Sequence, residues 1–584
     1  MGPIDTRSIV LGIDGQGALF DGITIDATHI TVSGLSVYGM RKGIFSDDIS
    51  INNLHIWGNY IGVSEDGSRL AAPYGNTSFG IDLRNVSDSH IGTDFDGEQD
   101  NTEGNLISSN FHGVNLSQTD DIVISGNYIG VDKSASGAIP NEFIGILVAN
   151  ASGTNVIGVD DRVTSFDLTH ARNIISGNNI DGIRITNSDN QVIAGNYIGA
   201  GRSGLTAITN GNYGIQIEGN SSNNQIGVDS DGNHDSTERN LISGNGSGYR
   251  SLTGGSGSGN YLAGNFIGTD ASGFFALPNL NNGINVISFS STRVGTNGDG
   301  VQDNLEGNVI SGNDADGIRL DQASDGLVSG NYIGVTFDGI SSLPNQGRGV
   351  FIAGTSTDNV IGFDPAMVQT DLSLIMNIIK YNDDAGIAIS GSNAVRNRIS
   401  RNSIAFNTGL GIDLGYDGVT PNDNADTDNG ANRLFNFPVI SSVSLAADST
   451  LIIKGFASVG ATIEVFISDG EDNPNPLPGV YTTSFGEGQT YLFTAVEGSA
   501  DDLDGGVGSY TNDGTGATTT KNQNRFEFQF DLSGIVVESD AFLTATATDS
   551  NGNTSEFSGV IDIGSVSCGT AILNPHVMFY RSSY

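Results

Sequence analysis

Gly58-Asn59-Tyr60-Ile61-Gly62 is the first of five nearly identical pentapeptides, which recur at intervals of 66 to 69 residues. The later copies begin at Gly126, Gly195, Gly264 and Gly330, and Phe266 replaces the tyrosine in the fourth. A second motif, Asn-x-Ile-Ser-Gly-Asn, keeps this period, with copies starting at Asn105, Asn173, Asn240, Asn308 and, in degenerate form, Asn377. A fixed period of this length is typical of a solenoid, in which one supersecondary unit stacks on itself.

Short Gly-apolar-x-apolar tracts lie between these motifs, as in Gly182-Ile-Arg-Ile185 and Gly317-Ile-Arg-Leu320. Their period-two alternation predicts short strands that each bury one face. Strands of this kind, separated by Gly, Asn and Asp turns, predict an all-β chain that begins with a parallel β-helix. We expect about 22 residues per coil and three coils per module of about 67 residues, hence about 18 coils and a rod of about 85 Å. The asparagine after each glycine is expected to point inward and bond to the coils above and below.

Three phrases carry a family resemblance: Gly126-Asn-Tyr-Ile-Gly-Val131, Asn308-Val-Ile-Ser-Gly-Asn313 and the stretch GTNGDGVQDNLEGN at 295–308. They resemble the right-handed parallel β-helix repeat proteins of bacteria, within the pectate-lyase-like superfamily. The resemblance covers residues 1–415 and implies a right-handed parallel β-helix. It leaves the activity open, because this superfamily holds lyases, hydrolases, epimerases, adhesins and tailspikes on one scaffold.

The pattern changes after the β-helix (1–415). An acidic linker is predicted at 416–438, and a domain of longer alternating stretches follows at 439–566. Strands are predicted at 449–457, 461–468, 489–496, 525–532 and 541–548, which form an antiparallel β-sandwich. The phrase TATATDSNGNTSEFS at 544–558 resembles the immunoglobulin-like modules of bacterial surface proteins. The tail 567–584 shows no strand alternation and receives no role.

Charge and composition restrict the partners. Lys and Arg number 24 against 66 Asp and Glu, so the formal net charge is −42. This argues against nucleic acid and anionic membranes, which select basic faces, and fits a secreted protein in a cation-rich medium. No apolar run reaches membrane-spanning length, no signal peptide is seen, and a single cysteine, Cys568, excludes an internal disulfide framework. We expect an extracellular or cell-surface protein, and the immediate start of the repeat suggests a fragment, a mature form or part of a longer stack.

Three loops share an acidic pattern around a turn glycine: loop 1 (94–103), loop 2 (229–238) and loop 3 (297–306). The candidate ligands are Asp94, Asp96, Asp100 and Glu103 in loop 1, Asp229, Asp231, Asp235 and Glu238 in loop 2, and Asn297, Asp299, Asp303 and Glu306 in loop 3. Alternating oxygen ligands closed by a glutamate suit Ca²⁺, which takes about six to eight oxygens. The spacing differs from that of an EF-hand, and the alternative is a solvated turn loop in an acidic protein.

A second acidic group lies where the two domains join. It comprises Asp413, Asp417, Asp423, Asp426 and Asp428. Carboxylates this dense repel one another unless they are paired or bound to a cation. We therefore weigh a Ca²⁺ site that would stiffen the junction against a flexible charged linker.

Two outward rows could bind a glycan. The x residue of Gly-apolar-x-apolar is arginine at Arg184 and Arg319, with Arg250 in a degraded copy, and we expect neighbouring arginines to lie about 14 Å apart. Guanidinium groups could hold an acidic polysaccharide, although isolated surface charges are the alternative. The second row is the ring of the pentapeptide, which we expect to lie beneath the long loop that follows each copy.

Catalytic signatures are mostly missing. The sequence holds no Gly-His-Gly with Arg-Ile-Lys, no His-Glu-x-x-His, no phosphate loop and no Gly-x-Ser-x-Gly. A uronate lyase needs a base and a cation that neutralises the carboxylate. The weak candidates are Lys380, which replaces the serine of the repeat motif, and the outward Arg319 and Arg184. The alternative for Lys380 is drift in a worn repeat.

These patterns predict an extracellular or cell-surface structural or adhesive β-helix protein, stabilised by Ca²⁺, with glycan binding as a further role. Its partners would be a polysaccharide or other surface proteins, with no nucleic acid and no membrane insertion. One alternative is a polysaccharide lyase or related enzyme that acts on acidic polysaccharide. Another is a filament or surface-layer subunit that associates end to end.

Overall fold

The computed structural model describes residues 9, 11–17, 19–69, 75–94, 100–160, 162, 170–252, 257–446, 448–468, 470, 484–535, 537 and 541–563. Asp96 and the tail 567–584 lie outside these residues. Within them the chain is nearly all β: three long parallel sheets form a β-helix, and two antiparallel sheets follow. The predicted fold class is confirmed. No helix in this part of the chain is long and apolar enough to cross a membrane.

Successive coils contribute strands to three sheets, called here the first, second and third sheets. The first sheet comprises Leu11–Asp14, Leu35–Tyr38, Tyr60–Ile61, Leu106–Ile107, Tyr128–Ile129, Ile174–Ile175, Tyr197–Ile198, Leu241–Ile242, Phe266–Ile267, Val309–Ile310, Tyr332–Ile333, Ile378–Lys380 and Ser403–Ala405. The second comprises Ile23–Thr24, Lys42–Asp47, Phe79–Arg84, His112–Ser117, Ile146–Ala149, Ile183–Thr186, Tyr213–Glu218, Ser247–Leu252, Ile284–Ile287, Ile318–Asp321, Val350–Ala353, Ile387–Ser390 and Ile412–Leu414. The third comprises Thr31–Ser33, His55–Trp57, Ser87–Gly92, Asp120–Ser125, Val156–Gly158, Val192–Ala194, Gln225–Gly227, Tyr261–Ala263, Arg293–Gly295, Leu327–Ser329, Val360–Gly362 and Arg398–Ser400.

The coils are longer than expected. Leu106 pairs with Tyr60 on one side and with Tyr128 on the other, so the two repeat motifs occupy the same position in successive coils. Each module therefore makes two coils rather than three, because both motifs mark first-sheet strands and do not share one coil. Val114 pairs with Ile146, 32 residues further on, and Ile146 pairs with Ile183, 37 residues further on. The expected 22 residues per coil is corrected accordingly, and thirteen coils span about 58 Å rather than about 85 Å.

Two columns of buried asparagines run along the β-helix, as predicted. Each side-chain amide donates to the carboxamide oxygen of the next asparagine over 2.8 to 3.1 Å. The first column is Asn59, Asn105, Asn127, Asn173, Asn196, Asn240, Asn265, Asn308, Asn331, Asn377 and Asn402. The second is Asn76, Asn110, Asn141, Asn178, Asn210, Asn245, Asn279, Asn313, Asn345, Asn382 and Asn407. The columns satisfy buried polar groups beside a core of stacked Ile, Val and Leu.

The rings of the pentapeptide lie beneath loops, as predicted. Tyr60, Tyr128 and Phe266 are at most 5% exposed. The loop after Tyr128 folds back through an antiparallel bridge between Val131 and Ala138, and its apolar residues join the same cluster as the ring. These rings are therefore part of the packing and do not form a surface for sugars.

The antiparallel sheets pack on each other as a sandwich. One contains Val439–Leu445, Thr450–Ala457, Lys521–Asp531 and Val507–Tyr510, and the other Gly488–Val496, Thr462–Ser468, Phe542–Thr548 and Ile561–Asp562. Leu451 and Phe528 of the first share a core with Ile463 and Leu543 of the second. Short helical turns occur at Asp100–Glu103, Asp235–Thr237, Asp303–Glu306, Leu372–Ile375 and Ala431–Leu434. An immunoglobulin-like relationship stays a prediction.

Candidate functional site

The outward side of the second sheet, called here the second-sheet face, holds polar and aromatic side chains in register. Its central row is Asp82, Asn115, Leu147, Arg184, Gln216, Arg250, Asn285, Arg319, Phe351, Ala388 and Asp413. Arg184, Arg250 and Arg319 do share one row, but at intervals of two coils. Neighbours are thus about 10 Å apart rather than the expected 14 Å, because each module makes two coils.

Most arginines of this face are paired with carboxylates of the chain itself. Arg184 pairs with the buried Asp181. Arg319 lies 2.9 Å from Asp321. Such pairs orient a guanidinium and reduce its capacity to hold a second anion.

Arg250 differs from these arginines. In the described part of the chain it has no carboxylate partner; its Nη1 donates to the Tyr213 hydroxyl, and the guanidinium lies 4.9 Å from the centre of that ring. Its Nε is buried without a hydrogen-bond partner. Asn285, directly beside it in the sheet, has a buried Oδ1 that also lacks a partner. One buried donor and one buried acceptor are thus left unsatisfied in adjacent strands, which is uncommon for buried polar atoms and marks this part of the face.

Aromatic rings cluster at the same face nearer the start of the rod. His112 stacks on Phe79 at 5.1 Å and meets Phe143 edge-on at 5.2 Å. Phe111, which is 44% exposed, stacks on Phe143 at 5.7 Å. Burial, and secondarily the charge of Arg184, lowers the pKa of His112 to about 4, so the ring is neutral at physiological pH. The exposed ring of Phe111, stacked on the half-buried Phe143, suits the apolar face of a sugar ring.

Loops 1 and 2 each bring three carboxylates together. Ligand atoms of Asp94, Asp100 and Glu103 lie within 4.8 Å of one another. Those of Asp229, Asp231 and Asp235 do the same. In loop 1, burial and the nearby Asp94 raise the pKa of Glu103 to about 7. Such crowding is the environment that a bound cation would relieve.

The glutamate that ends each loop folds back onto its beginning. Glu103 accepts from the Asp94 backbone N–H over 3.2 Å, and Glu238 accepts from that of Asp229 over 3.0 Å. Glu306 accepts from the backbone N–H of Asn297 over 3.0 Å. The three loops therefore share this closing contact between the glutamate and the first residue of the loop.

Loop 3 departs from the other two in its charges. Arg293 Nη1 lies 2.6 Å from Glu306 Oε1, and Asp303 accepts from Thr296 Oγ1 over 2.7 Å and from Gln369 Nε2 over 2.9 Å. Among the described residues, Asp299, Asp303 and Glu306 do not bring three ligand atoms within 4.8 Å of one another. A guanidinium already neutralises the buried glutamate of loop 3, and a cation site at Asn297, Asp299, Asp303 and Glu306 stays a prediction that nothing here tests.

The acidic residues at the junction divide into two sets. Ligand atoms of Asp423, Asp426 and Asp428 lie within 4.8 Å of one another, and burial raises the pKa of Asp426 to about 6. Asp413 is not part of this group: it is buried in the last second-sheet strand and accepts from the Asp417 backbone N–H over 3.2 Å. Only the first set retains the geometry of a cation site.

The three weak catalytic candidates do not meet. Lys380 ends a strand of the first sheet, whereas Arg184 and Arg319 belong to the second. Along the second sheet the two arginines are four coils apart, about 19 Å. The structure therefore separates Lys380 from the two arginines, and the lyase alternative, which needs Lys380 or an outward arginine beside a carboxylate cluster, stays a prediction.

Sequence reasoning did not identify His112, Phe143 and Tyr213 as part of a candidate site. Each follows an asparagine of the second column by two or three residues. That position lies at or just before the start of a second-sheet strand, so comparing it across coils would have found these residues. Such a comparison depends on the correct coil length, which the expected three coils per module did not provide.

No family model matches the chain. Solved structures that resemble it include the periplasmic alginate epimerase AlgG, with 12% identity over 60% of this chain and 77% of that one, and a TM-score of 0.31. Another is the Azotobacter vinelandii mannuronan C-5 epimerase AlgE4 A-module, with 12% identity over 69% and 75% of the two chains, and a TM-score of 0.22. A third is full-length tailspike protein 2 of Escherichia coli O157:H7 bacteriophage CAB120, with 11% identity over 83% and 64%, and a TM-score of 0.21. Likeness at this level carries no conclusion about what this chain binds or catalyses.

Proposed function

We propose that this chain is an extracellular or cell-surface β-helix protein that binds an acidic polysaccharide along the second-sheet face. The observation that carries the proposal is Arg250, an arginine of this face without a carboxylate partner among the described residues, in register with Asn285, whose Oδ1 is buried and unsatisfied. A uronate offers a carboxylate to the guanidinium and hydroxyls to the amide. The exposed ring of Phe111, backed by the half-buried Phe143, would stack on sugars of the same glycan.

The test is binding of soluble alginate and pectate, with neutral dextran as a control. Arg250→Gln should weaken binding of an acidic glycan by about 10- to 100-fold, because a charge-assisted hydrogen bond contributes about 1.5–3 kcal/mol. Arg319→Gln is the matched control and should change affinity by less than about threefold, since that arginine is already paired with Asp321. Equal losses in both variants, or wild-type binding to dextran alone, would contradict the proposal. Ultraviolet absorbance of unsaturated products in the same samples would identify a lyase instead.

We also propose that loops 1 and 2 bind Ca²⁺ and thereby stabilise the rod, and that Asp423, Asp426 and Asp428 form a further site. Loop 3 supports this proposal as an internal comparison, because its glutamate makes the same closing contact and is paired with the guanidinium of Arg293. The test is a melting curve of the full chain in EGTA and in Ca²⁺. A gain of about 2.7 kcal/mol is expected at about 100 times the dissociation constant for one site. An unchanged curve would remove the proposal.

A further inference from the structure

The β-helix ends at its last coil, whose strands need hydrogen-bond partners on the side away from the preceding coil. Three glutamates of the sandwich lie at this end, one near each strand of the coil: Glu464 within the strand Thr462–Ser468, Glu487 just before Gly488–Val496, and Glu556 between Phe542–Thr548 and Ile561–Asp562. Glu464 accepts from Ser400 Oγ (2.6 Å) and from the Arg401 backbone N–H (2.9 Å). Glu487 accepts from the backbone N–H (2.8 Å) and Nδ2 (2.9 Å) of Asn407. Glu556 accepts from the backbone N–H groups of Leu414 (2.9 Å) and Thr420 (2.8 Å).

These carboxylates are buried. Glu464, Glu487 and Glu556 are 5%, 0% and 2% exposed. A buried carboxylate is costly unless its oxygens accept strong hydrogen bonds, and here both oxygens of each group accept from the end of the β-helix. The three carboxylates are therefore buried, and they accept hydrogen bonds from donors that would otherwise bond to a further coil.

The last asparagines of two buried columns donate hydrogen bonds to residues of the sandwich. The second asparagine column ends at Asn407, whose amide donates to Glu487 Oε1 in place of a next asparagine. Asn432, which follows Asn397 in a shorter column, donates to the Thr554 carbonyl over 3.0 Å. The Ile399 backbone N–H donates to Thr554 Oγ1 over 2.9 Å. Acceptors of the sandwich thus stand where the acceptors of another coil would be.

We propose that the antiparallel sheets are an acceptor cap that replaces the next coil, and that the cap and the last coil open together as one unit. Charged acceptors suit this role because a coil end presents mainly N–H donors at these positions, and a carboxylate can accept two of them at once. The proposal is independent of glycan binding and of Ca²⁺.

The test is hydrogen exchange of the full chain, comparing Glu487→Ala with Glu497→Ala. Glu497 is a matched control: it is 2% exposed and accepts from the Gly460 backbone N–H (2.6 Å) and Asn524 Nδ2 (2.8 Å) within the sandwich. Glu487→Ala should speed exchange across 398–414 by at least about tenfold, and across 542–558 together with it. Glu497→Ala should speed exchange within the sandwich only. Unchanged exchange at 398–414 in Glu487→Ala, or equal effects of both variants, would overturn the proposal.

A milder variant keeps the proposal testable if Glu487→Ala does not fold. Glu487→Gln preserves the side-chain volume and one acceptor oxygen, but sets an amide N–H₂ against a donor of Asn407. A smaller rise in exchange in the same two segments is expected. Exchange identical to wild type in both segments would overturn the proposal.

Discussion

Replacing Arg293 with glutamine should convert loop 3 into a cation site like those proposed for loops 1 and 2. Arg293 Nη1 lies 2.6 Å from Glu306 Oε1, and the two side chains are 17% and 0% exposed. In loops 1 and 2 the corresponding position, two residues before the strand-ending glycine, holds His90 or Gln225. The substitution therefore gives loop 3 the residue that loop 2 already has.

The expected loss of stability in Arg293→Gln follows from the burial of Glu306. Removing one partner of a buried ion pair costs about 3–5 kcal/mol, because the remaining charge is left uncompensated. Arg293→Gln in EGTA should lose about that free energy of unfolding relative to wild type. Calcium at about 100 times its dissociation constant should return about 2.7 kcal/mol at this one site.

The assay that isolates the effect is calorimetric titration of Ca²⁺, which counts sites. Arg293→Gln should bind one ion more than wild type, and the reverse change, Gln225→Arg, should bind one fewer. Arg293→Lys keeps a cation beside Glu306 and should leave the count unchanged. An unaltered stoichiometry in both exchanges would refute the idea that a guanidinium and a calcium ion serve the same loop position.

Two further predictions concern the rod itself. Asn240→Ala removes the acceptor of the Asn196 backbone N–H and side-chain amide, and should lower the free energy of unfolding, measured with denaturant, by about 3–5 kcal/mol. The control Asn179→Ala, at an exposed asparagine, should lower it by less than about 0.5 kcal/mol. Equal losses in the two variants would contradict the stabilising role of the column. Folding lowers the pKa of His112 to about 4 from its ordinary value, so its contribution to stability is complete above about pH 6.5 and is lost as the pH falls towards 4. His112→Phe keeps the stack on Phe79 and should reduce this acid destabilisation by about 1–2 kcal/mol, allowing for partial exposure; a melting profile with the wild-type pH slope would count against it.

The fold could be predicted from the sequence because its determinants are local and repeated. The period-two tracts and the asparagine after each glycine specify a strand and an inward amide wherever they occur. The coil length could not be read in the same way. It depends on which motif stacks on which, and the pairing of Leu106 with both Tyr60 and Tyr128 is a contact between different motifs.

The candidate site was predictable only in part, for a related physical reason. The sequence marks Arg184, Arg250 and Arg319 as equivalent outward residues, yet their local partners differ. Asp181 lies three residues before Arg184 and Asp321 two residues after Arg319, so a sequence search for adjacent acids could have separated both from Arg250. The partner of Arg250, Tyr213, comes from the previous coil and becomes a neighbour only through the register.

The two-coil module also explains which surface stays open. In one coil of each module the long connection joins a third-sheet strand to a first-sheet strand, as at 93–105. In the next coil the long connection joins a first-sheet strand to a second-sheet strand, as at 130–145. Turns from the second sheet to the third are short throughout the module, as at 85–86 and 118–119. The long connections therefore cover the first-sheet rings and include the acidic loops. The second sheet has long connections along only one of its two edges. The glycan proposed above could therefore follow that sheet across successive coils, past Arg250 and the rings of Phe111 and Phe143.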